Sequence, residues 1–302
     1  MKSSHLITLF LTVILLSMMP PVYAKTPTGA LPQLSAGQSL GIALGITAVP
    51  NLRDMGGYKT RDGATVARGL VYRSDTFHPI NPQDIKKLER LGLKFDYDLR
   101  TTDEVKVKPD QIPPGVQYQL LNVLADAKSA SPAQLEVLMH QPEKANAALG
   151  GGKIEAMFKE AYREFVSLPS ATQAYRTLFR SLADRQKLPA VFHCTTGKDR
   201  TGWAAAALLT LLGVPKETVM PDFMRSNEYT LPQFQHAIDS FTAGGGDRNI
   251  PVSIFGVKAE YLNASFDEMQ KRYGTIEKYF AEGLGIDDSG QKALRDVFII
   301  KK

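Results

Sequence analysis

The segment that constrains this chain most is Val191-Phe192-His193-Cys194-Thr195-Thr196-Gly197-Lys198-Asp199-Arg200-Thr201-Gly202. Leu188 to Phe192 is a short apolar strand, and Thr201 to Leu212 is an apolar helix that Gly213 closes. A tight loop of small and polar residues joins them. Such a loop aims successive backbone N–H groups at one point, beside the positive end of a helix dipole. The concavity holds a tetrahedral oxyanion. A strand and helix this apolar also need cover on every side, so the loop has to sit at the edge of a packed core.

Cys194 opens the loop and is the single cysteine of the 302 residues. A helix N-terminus and nearby cations favour the nucleophilic thiolate over the thiol. Arg200 follows after five intervening residues, a spacing that lets both side chains face one phosphate. Its planar fork can bind two phosphate oxygens, which a lysine cannot do. Thr195, Thr196 and Gly197 supply the phosphate-facing backbone, and Gly197 allows a turn that other residues resist. Thr201 is placed to donate its hydroxyl to the Cys194 sulfur.

Composition sets the wider limits. Apolar residues make up 43% and charged residues 22%, as in an ordinary globular protein. The net charge of +5 is mild and favours anionic ligands in general. Without a long Lys/Arg run, nucleic acid is not an expected partner. Lys2, the apolar run Leu6 to Met18, and Val22-Tyr23-Ala24 after Pro20-Pro21 form the pattern of a secretory signal over residues 1–24. Export to the periplasm or the medium is expected, with no integral membrane segment after cleavage. Residues 25–45 are rich in Pro, Gly, Ser and Thr and are expected to form a flexible leader. The folded domain is expected over 46–302.

Along that domain, Ala67 to Tyr72, Leu93 to Leu99 and Val116 to Val123 carry strand signals. Asn81-Pro82 caps a helix running through Arg90. Ile154 to Val166 and Thr172 to Ala183 have helical spacing, and helices dominate from Lys216 onward. Asp126 to Gly152 is polar and is expected to be a mobile excursion. There is no internal repeat. Strands alternating with helices predict an α/β domain with a central, mostly parallel sheet flanked by helices.

The run His193-Cys194-Thr195-Thr196-Gly197-Lys198-Asp199-Arg200-Thr201-Gly202-Trp203 resembles the signature of the protein-tyrosine-phosphatase superfamily, and within it the bacterial tyrosine/lipid phosphatases. Bare Cys-x5-Arg also occurs in rhodanese-like and arsenate-reducing proteins. Further segments in matching order strengthen the likeness: Asn51-Leu52-Arg53-Asp54-Met55-Gly56-Gly57, Tyr72-Arg73-Ser74, Asp98-Leu99-Arg100, and Tyr261 through Ile276. The resemblance covers most of the chain after residue 45. It implies a phosphocysteine intermediate and substrates carrying phosphotyrosine, with phosphoserine, phosphothreonine and phosphoinositides as extensions. An inositol-polyphosphate phosphatase of phytase type and a non-catalytic phosphate-binding module are the alternatives.

Expelling an alkoxide or phenoxide needs a proton donor. Dual-specificity phosphatases carry theirs on a loop like the one holding Asp126, so resemblance puts Asp126 first. Asp199, inside the phosphate loop, is the second choice. Asp98 is a third, better suited to bracing Arg100. No Trp-Pro-Asp tripeptide is present to decide the matter. His193 is expected to be a structural, hydrogen-bonded residue. Lys198 is a candidate contact for a second phosphate. Arg53 and Asp54, with Arg73, either line the pocket or brace the loop. His78, His140 and His236 have no metal-like spacing to Cys194, so no metal and no other cofactor is expected.

Overall fold

The computed structural model describes residues 31–127 and 138–301. Five strands form one sheet in the order β1-β3-β6-β4-β5. They are β1 (Arg53–Asp54), β3 (Val71–Ser74), β4 (Phe95–Asp98), β5 (Gln117–Leu120) and β6 (Ala190–His193). β3, β6, β4 and β5 are mutually parallel, and β1 closes one edge antiparallel to β3. A separate antiparallel pair joins β2 (Thr65–Val66) to β7 (Ile299–Ile300). β6 lies at the centre. Ser74 on β3 and Asp98 on β4 both stand in register with His193. Three strands therefore end together just where Cys194 begins, the usual place for a ligand crevice in an open parallel sheet.

Alternation along the strands divides the core in two. Ala190 and Phe192 of β6 and Val71 of β3 face the larger cluster. Val191 and Tyr72 face the other. On that second side lie α1 (Leu40–Ala43) and α2 (Pro82–Glu89), the latter capped by the Asn81 side chain at the amide of Asp84. The short α3 (Thr102–Val107) follows β4. After β5 come α4 (Pro142–Leu149), α5 (Lys153–Ser167) and α6 (Pro169–Leu182). α7 (Arg200–Leu211) is buried along almost its whole length, and the run Ala204 to Ala207 lets it lie close under its neighbours. The rest is helical: α8 (Lys216–Met224), α9 (Ser226–Ala243), α10 (Asn249–Phe255), α11 (Ala259–Tyr273), α12 (Ile276–Lys278) and α13 (Asp288–Phe298).

The expected α/β architecture and its mostly parallel sheet are present. Two expectations change. From Leu31 onward the supposed leader is part of the packed domain: Leu40 is buried, and Leu31, Leu34 and Leu44 pack on the second core cluster. Its small polar residues sit between leucines that repay ordering, which composition alone does not reveal. The polar stretch after Asp126 holds a helix, α4, whose Ala145 and Leu149 pack with Phe241 and Ile250. Residues 1–24, the expected signal, lie outside the described residues, as do 128–137. Strand β5 is shorter than its pattern because it pairs only with the four residues of β4. No helix among the described residues is long and apolar enough to cross a membrane.

Candidate active site

The loop from Cys194 to Asp199 is held from behind by its carbonyl groups. Thr76 donates its amide to the Thr195 oxygen at 3.2 Å. Asn51 Nδ2 donates to the Thr196 oxygen at 2.9 Å, and Arg73 Nη2 to the Gly197 oxygen at 2.7 Å. In a trans peptide the N–H points opposite to the carbonyl. Tying back these carbonyls turns the amides of Thr196, Gly197 and Lys198 toward the concave side. Gly197 is indispensable to this path. Its φ is +65°, and a Cβ there would stand 2.3 Å from the Ser74 carbonyl oxygen. α7 begins at Arg200 with no side-chain cap, so its first amides are left for a ligand.

Cys194 is buried at the loop's mouth. Arg200, at the other end, is gripped by Glu104: Nη1 donates to Oε2 at 2.7 Å and Nη2 to Oε1 at 2.8 Å. Burial works against the Glu104 charge, yet Arg200 and Thr195 hold its carboxyl far below the usual range. This end-on pairing uses one N–H of each Nη. Nη1 also donates to the Leu99 oxygen at 3.4 Å and Nη2 to Thr195 Oγ1 at 3.5 Å, both long bonds, while Nε–H has no hydrogen-bond partner among the described residues. Glu104 therefore aims the arginine from its Nη end.

Asp199 and Lys198 form a second pair, with Lys198 Nζ 2.9 Å from Asp199 Oδ2. Tyr162, whose own hydroxyl is kept from ionising first by burial and then by Asp199, donates to Asp199 Oδ1 at 2.7 Å. The Lys198 ammonium also sits 5.2 Å over the Phe158 ring. It is a buried cation with two partners, not an exposed charge. Asp126 stands apart: its Oδ2 accepts the Ser170 amide at 2.8 Å, in the first turn of α6, and its own amide donates to Ser170 Oγ. Among the described residues no hydrogen bond joins it to the loop.

Other expected site residues have partners within the fold. Arg53 is fully buried and donates to the Asp222 carboxylate at 2.7 Å and to Ser226 Oγ. Asp54 accepts the amides of Gly56 and Gly69. Both are tied into the fold by these partners, while Arg53 Nε is buried with no hydrogen-bond partner among the described residues. Of that trio only Arg73 touches the loop. The Thr201 hydroxyl is buried without a hydrogen-bond partner among the described residues, so the expected bond to the Cys194 sulfur is not formed here.

Behind β6 lies a second ionic group. His193 Nε2 is 3.2 Å from both Asp96 and Asp110, and Arg100 Nη2 is 2.6 Å from Asp110 and 2.7 Å from Asp98. Burial opposes the imidazole's charge, but Asp96 and Asp110 raise its pKa well above the ordinary value. His193 and two carboxylates converge as metal donors can. Arg100 already faces Asp110 from the other side, so three carboxylates, an imidazole and a guanidinium share one buried cluster. His193 is thus structural, and Asp98 braces Arg100, both as expected.

The sequence reading missed Glu104, Asp222 and Asp75. Glu104 had a signal: Thr101 and Glu104 form a reciprocal capping box, a pattern visible as Thr-x-x-Glu. Asp222 had none, since 149 positions separate it from Arg73. Asp75 is buried beside the loop, and burial pushes its carboxyl up to about 7.

Comparison with known proteins agrees with this geometry. A protein of Cupriavidus necator assigned by name to the tyrosine-protein phosphatases is 28% identical over 244 residues, covering 81% of this chain and 85% of its own. The triple specificity protein phosphatase PtpB of Mycobacterium tuberculosis is 27% identical, covering 82% of this chain and 96% of its own. A tyrosine-protein phosphatase of Nostoc commune is 28% identical over 70% of this chain and 68% of its own. Residues 44–300 match the pattern of one family from before β1 into β7, and on that match the chain belongs to the tyrosine phosphatase family.

Proposed function

We propose that this phosphatase cleaves phosphate monoesters through Cys194, which attacks phosphorus and forms a phosphocysteine. Arg200 and the loop amides hold the equatorial oxygens as charge spreads over them. Asp199 gives a proton to the leaving oxygen and then takes one from the water that releases phosphate. Asp199 is preferred over Asp126 because it lies inside the loop, next to Arg200, while Asp126 bonds at the start of α6 and, among the described residues, not to the loop. The observation that carries the reading is the single loop that joins the only cysteine to an arginine aimed by Glu104.

Phosphotyrosine is the first substrate class, with phosphoserine, phosphothreonine and phosphoinositides as extensions. The name of PtpB supports that breadth. A phytase-like role would call for several lysines around the pocket, and the loop offers only Lys198. Export belongs to the same proposal and rests on the apolar run before Ala24; N-terminal sequencing of the protein made in its host tests it. The function is tested with phosphopeptides, phosphoinositides and inositol phosphates, each assayed with wild type and Cys194→Ser. Wild type should release phosphate from phosphotyrosine peptides. The variant should release none while still binding a phosphate analogue. Faster turnover of inositol polyphosphates than of any phosphopeptide would reverse the substrate assignment.

A further inference from the structure

Helix α5 meets the loop along one face. Phe158 and Tyr162 are i and i+4 on it, the spacing that puts two side chains on the same side. The Lys198 ammonium sits over the Phe158 ring, and Tyr162 Oη donates to Asp199 Oδ1 at 2.7 Å. One helix thus holds both loop residues that precede Arg200. Tyr162 has little room to move. It is fully buried, its ring packs against Phe165, Phe223 and Tyr261, and its carbonyl accepts the Ser265 hydroxyl of α11 at 2.6 Å. The Asp199 side chain, by contrast, is 21% exposed.

The two carboxylate oxygens of Asp199 are not equivalent. Lys198 Nζ straddles them, 3.0 Å from Oδ1 and 2.9 Å from Oδ2, and so does not tell one from the other. Tyr162 bonds Oδ1 alone. Burial, then the neighbouring Asp199, keep the Tyr162 hydroxyl protonated, so it stays a donor. A carboxyl that gains a proton on one oxygen still accepts on the other. Tyr162 can therefore hold Oδ1 in both protonation states of Asp199, which leaves Oδ2 to carry the proton.

We infer that Tyr162 is a positioning residue for the phosphatase reaction: it fixes Asp199 Oδ1 against the core and assigns the transferable proton to Oδ2. This rests on Asp199 being the proton donor. In the first half of the reaction the Oδ2 proton passes to the leaving oxygen, as that oxygen's bond to phosphorus breaks and the Cys194 sulfur bonds phosphorus. In the second half a water oxygen bonds phosphorus, the sulfur leaves with its electron pair, and a proton of that water returns to Oδ2. The terminal torsion of an aspartate is soft and nearly two-fold. Without the tyrosine hydroxyl the carboxyl can turn, and either oxygen can take the proton.

The test is Tyr162→Phe, which removes the hydroxyl, keeps the ring in its packing and leaves Lys198 on Oδ1. An alkyl phosphate and an activated aryl phosphate are compared, with Asp199→Asn and the double variant assayed alongside. A misaimed catalytic group costs up to about a hundredfold, and a carboxyl that is misaimed part of the time should cost about tenfold in kcat for the alkyl phosphate. KM should stay within about twofold, because the hydroxyl does not touch substrate. For the aryl phosphate kcat/KM should change by less than about threefold, since its leaving group needs little protonation. Added to Asp199→Asn, Tyr162→Phe should slow the alkyl phosphate by less than about twofold more, because a residue that acts through Asp199 has nothing left to aim. An alkyl-to-aryl ratio in Tyr162→Phe equal to that of wild type overturns the inference, as does a full tenfold loss on top of Asp199→Asn. If Asp199→Asn itself spares the alkyl phosphate, the proton-donor reading falls, and the role of Tyr162 falls with it.

Discussion

Two sets of charges hold the same loop, and they differ in what surrounds them. On its outer side, Arg200–Glu104 and Lys198–Asp199 border the concavity, and the acidic side chains of these pairs are 15% and 21% exposed. On its inner side, the Arg53–Asp222–Arg73 group and the His193–Asp96–Asp110–Arg100 group are closed to water. A pair bordering solvent can loosen or add a partner when a phosphate arrives. A fully desolvated charge cannot lose its partner without a large cost. The outer set is therefore free to do chemistry, and the inner set to fix the geometry in which that chemistry occurs. Substitutions outside should change rate and leave stability nearly intact. Substitutions inside should do the reverse.

The strongest way to break this division is Arg200→Lys. The lysine keeps the charge and loses the fork, so kcat/KM should fall about a thousandfold, ~4 kcal/mol of transition-state stabilisation. Urea midpoints of the two proteins should be close. Retention of more than about a tenth of the activity would show that the fork is not needed.

On the inner side, Asp75 has a raised carboxyl pKa of about 7 through burial. Below the unfolded value of about 4, both states hold the proton. As pH rises from there to 7, the unfolded chain ionises first, so folding stability should fall by about 4 kcal/mol across that window. Asp75→Asn should flatten this part of the profile. Equal slopes in both proteins, measured by denaturant unfolding at several pH values, would show that Asp75 is not the titrating group.

Asp110→Asn leaves His193 and Arg100 short of a counter-charge. It should cost about 3 kcal/mol of unfolding free energy, with kcat/KM per folded molecule within a few-fold of wild type. A rate loss with unchanged stability would put this buried cluster on the chemical side of the division.

Asp199→Asn should slow an alkyl phosphate about a hundredfold, ~2.7 kcal/mol, and an activated aryl phosphate much less, because a good leaving group needs little protonation. Asp126→Asn should spare both substrates. The opposite result would return the proton donor to the loop after β5. The smallest effect is expected at Lys198→Ala, a loss on a phosphoinositide about tenfold greater than on a small aryl phosphate. Equal losses would mean that Lys198 serves only to hold Asp199.

The chemistry of the loop was legible because it is local. Cys194, Gly197 and Arg200 lie within one strand–turn–helix, where spacing along the chain dictates spacing in space. The helix capped by Asn81 and the apolar α7 were legible for the same reason. The leader was misread because composition averages over position: Leu31, Leu34, Leu40 and Leu44 matter by where they land, on a core built from distant strands. Arg53 and Asp54 stayed open between pocket and brace because a charged motif has no visible partner until the chain folds.

The sequence by itself determined the strand–turn–helix that joins Cys194 to Arg200, the parallel α/β class and the kinship with tyrosine phosphatases. All of these follow from short-range order, periodicity and motifs in a fixed sequence. Only the tertiary structure decided what each charge is for. Glu104 meets Arg200 across 96 positions, and Asp222 meets Arg53 across 169. Electrostatic roles depend on distance and on exclusion of water. Both are properties of the packed chain, because burial turns a weak, screened pair into one that the fold cannot do without.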